Sequence, residues 1–79
     1  MRLDKYLKVS RLIKRRTVAA EACDAGRVAV NGIAARASRE VKIGDVLEIA
    51  FGQRTVRVEV VSVSEDATKD DAPAMYREL

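Results

Sequence analysis

Leu3, Tyr6 and Leu7 recur at helical spacing and predict a short helix over Arg2 to Leu7 with one apolar stripe. Arg2, Lys5 and Lys8 fall off that stripe and point to solvent or a ligand. Ser10 suits a bend or cap, and Leu12 and Ile13 resume the apolar supply beyond it. After the basic run Lys14-Arg15-Arg16, Thr17 is a suitable N-cap for a second helix from Val18 to about Ala25. That helix is rich in alanine, the best helix former. Val18, Ala22 and Ala25 are expected to form its packing face, with Cys23 close by. Gly26 fits the C′ position, where a positive φ is needed and glycine adopts it without steric cost.

From Arg27 the pattern changes period. Val28 and Val30 alternate with Arg27 and Ala29, and Asn31-Gly32 follows, a strong hairpin signal because both central residues of a type I′ turn need φ > 0. Ile33-Ala34-Ala35 is the expected return strand, and Arg36 to Glu40 a polar loop. Gly44-Asp45 marks a turn before a strand at Val46–Phe51, whose Phe51 is expected in the core. Gly52-Gln53 turns the chain again. Thr55, Arg57 and Glu59 then alternate with Val56, Val58 and Val60. Val60-Val61 breaks the alternation, which predicts a bulge or edge, with Val63 as a possible extension.

These elements predict an α+β fold, two short N-terminal helices packed on a small antiparallel sheet of three to five strands. The expected domain covers residues 1–63. Residues 64–79 are expected to be an acidic linker and short tail, with Pro73 starting a last helical turn capped by Asp71 or Ala72. Met75, Tyr76 and Leu79 would fasten that turn to the body.

Composition excludes several chemistries. There is no histidine, which removes His-based acid–base catalysis and Ser-His or Cys-His nucleophile activation. No Gly-x-Gly-x-x-Gly or Gly-Lys-Ser/Thr phosphate loop is present, and the four glycines are spaced as turns. The single cysteine, Cys23, cannot form an internal disulfide and is expected to be a packing residue. No cofactor, metal site or catalytic residue is expected, so the chain reads as a non-enzyme. No run approaches the roughly 18 apolar residues needed to cross a bilayer. Without a leader-like segment, and with one unpaired cysteine, a cytoplasmic location and no membrane partner are expected.

Charge adds the positive signal. Residues 1–39 carry ten Lys/Arg against three Asp/Glu, a net +7, whereas residues 40–79 carry five against nine, a net −4. Arg2, Lys5, Arg11, Lys14, Arg15 and Arg16 lie in or beside the two helices. Arginine's planar fork suits phosphate, and the second helix N-terminus adds backbone donors nearby. The aromatics are few and expected inside, so folded RNA read by shape and backbone is favoured over base-by-base reading. The short alanine-rich helix offers no row of side chains for a DNA major groove.

Taken in order, several segments resemble the S-four RNA-binding domain: Met1-Arg2-Leu3-Asp4-Lys5-Tyr6-Leu7, Ser10-Arg11, Lys14-Arg15-Arg16-Thr17-Val18-Ala19, Ala25-Gly26-Arg27-Val28-Ala29-Val30-Asn31-Gly32 and Val41-Lys42-Ile43-Gly44-Asp45-Val46-Leu47. The set is specific, although no single piece is. With Phe51-Gly52-Gln53 and Met75-Tyr76, the similarity extends to the stand-alone S-four proteins of bacterial ribosome-associated quality control. This resemblance implies binding of large ribosomal subunit RNA and peptidyl-tRNA on an obstructed large subunit. It also implies support of C-terminal alanine tailing with an RqcH-type tailing factor. By the same resemblance Arg2, Asp4 and Arg16 face RNA, with Lys5, Arg11, Lys14 and Arg15 around them. Asp4 is an acid inside a basic face. It could orient Arg2 or another arginine, accept a ribose 2′-hydroxyl, or serve only the helix dipole.

Three alternatives stay open: a general ribosome- or tRNA-binding module, an RNA-binding appendage of an RNA-modifying enzyme, and a module whose acidic half binds a protein. The opening at Met1 and the close at Leu79 are expected to argue against an enzyme fragment, and, separately, a monomer is expected.

Overall fold

The Leu3, Tyr6 and Leu7 stripe lines one face of α1 (Leu3–Val9), and all three side chains are fully buried. In the computed structural model, residues 1–65 and 67–79 are described. A seven-residue helix is too short to persist alone, so its ends must be satisfied by the rest of the chain. The loop after β2 does this at the N-terminus. Leu3 N–H donates to the Arg39 carbonyl at 2.8 Å and Asp4 N–H to the Ala37 carbonyl at 3.2 Å. Lys5 N–H donates to Asp4 Oδ1 at 2.8 Å. At the other end Ser10 is the C-cap, as its position suggested, and its hydroxyl donates to the Leu7 carbonyl.

The second helix, α2 (Arg16–Asp24), starts two residues earlier than predicted. Arg15 is the N-cap, with extended backbone and no side-chain capping bond, and Thr17 lies inside the first turn. The packing face is also corrected. Ala19 and Cys23 are buried, Val18 is 48% exposed and Ala25 is exposed. Ala19 and Cys23 stand four residues apart on one face, and both are small, which allows α2 to pack closely on α1. Gly26 occupies C′ with φ 78°. Its N–H reaches the Cys23 carbonyl and Arg27 N–H reaches the Ala22 carbonyl, the paired bonds of a Schellman motif.

Five strands form one antiparallel sheet in the order β2-β1-β3-β4-β5. They are β1 (Val28–Val30), β2 (Ile33–Ala34), β3 (Val46–Phe51), β4 (Arg54–Val60) and β5 (Tyr76–Glu78). Asn31 and Gly32 both have positive φ, 53° and 84°, and Val30 pairs Ile33 across them, so the type I′ hairpin forms where expected. Asn31 does a second job. Its Oδ1 accepts Val46 N–H at 2.9 Å and its Nδ2 donates to Asp45 Oδ1 at 3.1 Å, while Asp45 Oδ2 accepts Lys42 N–H. The hairpin is thereby tied to the Gly44-Asp45 turn. Val28, Val30, Leu47, Ile49, Val58 and Val60 face the helices and are buried.

The tail forms the expected last turn and adds a strand that was not expected. A 3-10 turn at Ala72–Met75 has Asp71 as N-cap and Pro73 in its first turn. It leads into β5, which pairs β4 with Val60 opposite Tyr76. The boundary expected at residue 63 therefore leaves β5 on its far side, although the strand is bonded into the sheet. Asp66, within the expected linker, lies outside the described residues. Met75 is buried and Tyr76 half-buried, whereas Leu79 is exposed. β4 ends at Val60, and the N–H groups of Val61 and Ser62 both donate to the Met75 carbonyl, a bulge-like pairing. Val63 is not in the strand.

Tyr6 links the first and last elements, its buried hydroxyl donating to the Met75 carbonyl at 2.7 Å. Burial pushes that hydroxyl's pKa well above the usual tyrosine value, with the nearby Tyr76 adding to the rise. Tyr6→Phe removes this bond yet leaves the carbonyl paired with Val61 and Ser62. We expect it to cost about 0.5–1.5 kcal/mol. A thermal melt should show Tm lower by roughly 2–12 °C.

Candidate RNA interface

A carboxylate taken from water needs partners, because its charge is costly to bury unpaired. Asp4 is only 4% exposed. Its Oδ1 accepts Lys5 N–H at 2.8 Å and Arg2 Nε at 3.2 Å. Its Oδ2 accepts Arg2 Nη2 and Arg16 Nε, each at 3.4 Å. Burial pushes the Asp4 carboxyl up, but the bonds from Arg2, Lys5 N–H and Arg16 together outweigh it and hold the pKa below the ordinary value. Arg2 precedes α1 and Arg16 opens α2, so one buried group clamps two guanidiniums from different helices. About half of each arginine side chain stays exposed. Arg2 gives Asp4 its Nε and Nη2 and Arg16 its Nε alone, which leaves the other donors of each fork without a protein acceptor among the described residues.

Beside this pair the start of α2 presents bare backbone donors. Among the described residues the N–H groups of Arg16, Thr17 and Val18 have no protein acceptor, while Ala19 N–H is bonded to the Arg15 carbonyl. Lys14 and Arg15 are exposed immediately before them and enter no ion pair among the described residues. Backbone donors, a positive helix end and four basic side chains thus meet in one region. That combination suits phosphate oxygens.

Two expected site residues stand apart. Lys5 bonds Glu65 at 2.9 Å, so a carboxylate from the acidic half reaches the basic face. This pair is surface-exposed and open to displacement by a competing anion. Arg11 follows the C-cap of α1, at the opposite end of the helix from Arg2, with φ 62° in the left-handed region usually held by glycine. It lines a separate cleft with Phe51, Arg54, Val56, Tyr76 and Glu78. Phe51, expected in the core, is 38% exposed. It stands beside the Gly52-Gln53 turn, and a second cavity that it lines with Ile13, Val18 and Ala22 separates it from α2. Cys23 is buried, and burial together with the Asp4 and Asp24 charges pushes its thiol up to about 11, which suits packing and not reactivity.

Among the described residues there is no cluster of three or more side chains able to hold a metal ion, and no helix long and apolar enough to cross a membrane.

Residues 1–47 match the model of the S4 domain, the S-four module. The chain is 57% identical to an RQC P-site tRNA stabilizing factor of Halalkalibacterium halodurans, over 96% of this chain and 86% of the relative. It is 54% identical to the Bacillus subtilis protein of the same name, over 96% of this chain and 88% of that protein. Among solved structures it is similar to the heat shock protein 15 of Vibrio cholerae, described as trimeric. That likeness has a TM-score of 0.92 and 30% identity, covering 100% of this chain and 81% of that one.

Asp4→Asn keeps the shape and removes the charge that holds Arg2 and Arg16. We expect a stability loss of about 1.5–3 kcal/mol near neutral pH, the range for hydrogen bonds to a charged group. Because the folded-state pKa of Asp4 is depressed, its stabilisation is present above the unfolded value of about 4 and fades as pH falls through the folded value. Denaturant melts from pH 7 to pH 2 should therefore show the gap between wild type and Asp4→Asn closing below about pH 4.

Proposed function

The chain belongs to the S4 domain family and is more than half identical to relatives named as P-site tRNA stabilizing factors. On that footing we propose that it stabilises P-site tRNA during ribosome-associated quality control, as a non-catalytic RNA-binding factor. The observation that carries the reading is the clamp of Arg2 and Arg16 on buried Asp4, next to the open N–H groups of α2. Such a surface grips phosphate oxygens in a fixed geometry, as shape-directed RNA recognition requires. Arg2 and Arg16 make the central contacts, Lys14 and Arg15 extend them, and Lys5 joins when an incoming phosphate displaces Glu65. Asp4 acts as a positioning residue. At this depth it serves to orient both arginines and not to meet a ribose itself.

In the fuller form of this reading the RNA is large ribosomal subunit RNA together with peptidyl-tRNA on an obstructed subunit. The protein works there in the cytoplasm, alongside an RqcH-type tailing factor during C-terminal alanine tailing. One copy carries the whole basic face, so we take the working unit as a monomer, although the solved Vibrio cholerae relative is trimeric by its description.

Sedimentation with separated ribosomal particles tests this. Wild type is expected to travel with large subunits carrying peptidyl-tRNA, and Arg16→Ala to be lost from them at moderate salt. The slope of log K against log salt should flatten by roughly 0.7–0.9 for each phosphate contact removed. Absence of wild type from every ribosomal particle would overturn the reading.

A further inference from the structure

The helix-facing side of the sheet continues past the helices. Leu47, Ile49 and Phe51 of β3 share that face, as do Arg54, Val56, Val58 and Val60 of β4, because side chains alternate along a strand. The pairing of Phe51 with Arg54 and of Ile49 with Val56 sets them side by side. On β5, Tyr76 stands opposite Val60 and Glu78 opposite Val58, adding two more side chains to the same face. Leu47, Ile49, Val58 and Val60 are buried on this face, whereas Phe51 and Arg54 at the hairpin end are exposed. What remains is a cleft of about 330 Å³ with an apolar, aromatic floor and charged walls.

The floor is Val56 with Phe51 and Tyr76, two of the three aromatic residues in the chain. Arg54 and Arg11 both line the cleft, Arg11 with φ 62° in the left-handed region, a conformation costly for a non-glycine residue. Both are exposed, and neither is in an ion pair among the described residues. Two free guanidiniums beside an aromatic floor match the two halves of a nucleotide, a phosphate and a flat base.

We infer that this cleft takes one unpaired RNA nucleotide, its base stacked on Phe51 and Tyr76 and its phosphate held by Arg11 and Arg54. This second contact rests on the RNA-binding reading above and adds to it a preference for a splayed-out base. Glu78 sets the orientation. Its carboxylate repels a phosphate and accepts a hydrogen bond from an exocyclic amino group, so adenine, cytosine or guanine fits better than uracil. The basic clamp at Arg2 and Arg16 then grips backbone, while the cleft at the far end of α1 reads an extruded base.

The chain has no tryptophan, so F51W installs a single indole at the cleft floor. Adding a single-stranded oligoadenylate should quench its emission, and an RNA duplex of equal length should quench it much less. In ribosome sedimentation F51A should weaken binding about 5- to 150-fold, the range for losing one stacked base. R54Q should weaken it as well, and F51Y should restore it. Thermal melts of each variant check that the fold is kept. Unchanged F51W emission with every RNA, or F51A and R54Q binding large subunits as wild type while R16A fails, would overturn the cleft and leave the clamp standing. If wild type binds no ribosomal particle, the parent reading falls, and the F51W response to oligoadenylate decides the cleft alone.

Discussion

The Asp4 carboxylate lies where α1, α2 and the loop after β2 converge, and a charge buried there must be neutralised locally or the site would not close. Arg2 and Arg16 neutralise it from two helices, and Lys5 N–H supplies the remaining bond. Much of the N-terminal architecture follows from this. The first turn of α1 is fixed by Asp4 and by carbonyls of Ala37 and Arg39, and the start of α2 is fixed by Arg16. Asp24 helps by accepting Ala37 N–H at 3.1 Å, which holds the same loop against α2. A small sheet with short helices has little core to spare, so a polar anchor of this kind ties the start of α2 to α1 as well as bonding two arginines.

On the proposed reading, that coupling joins structure and function at one residue. Flexible arginines bind phosphate at the cost of ordering a long side chain. Here part of that order is already present in the free protein, because each guanidinium is bonded to a fixed acid. Preorganisation of this sort raises affinity by lowering the entropy lost on binding. It also accounts for an acidic residue in the most basic stretch of the chain, which charge counting alone cannot do.

Much of the fold was legible in the residues. Asn31-Gly32 names its turn because few dipeptides tolerate two positive φ values, and Gly26 names a helix end for the same reason. β3 was read at its observed bounds because apolar residues between two glycine turns leave little choice. The misplaced features share a cause, which is dependence on tertiary neighbours. The N-cap of α2 fell to Arg15 because the arginine after it is held by Asp4, a contact twelve residues away in sequence. Phe51 looked like core by type, yet a cavity separates it from Val18 and Ala22 of α2 and leaves it partly exposed. β5 was hidden because a three-residue strand with two charged residues carries no pattern of its own; it exists through its pairing with β4. At the candidate interface, the basic side chains were visible as a cluster, but their division between the clamp and the proposed cleft required the length and direction of α1.

The central claim is that Asp4 acts on RNA through the arginines it holds. A double-mutant cycle on binding to large subunits carrying peptidyl-tRNA tests it, using wild type, Asp4→Asn, Arg16→Ala and the double variant. The account predicts strong coupling of about 0.5–3 kcal/mol, with Asp4→Asn costing much less affinity once Arg16 is gone. Additive effects would mean that Asp4 and Arg16 act on RNA independently, and would contradict it.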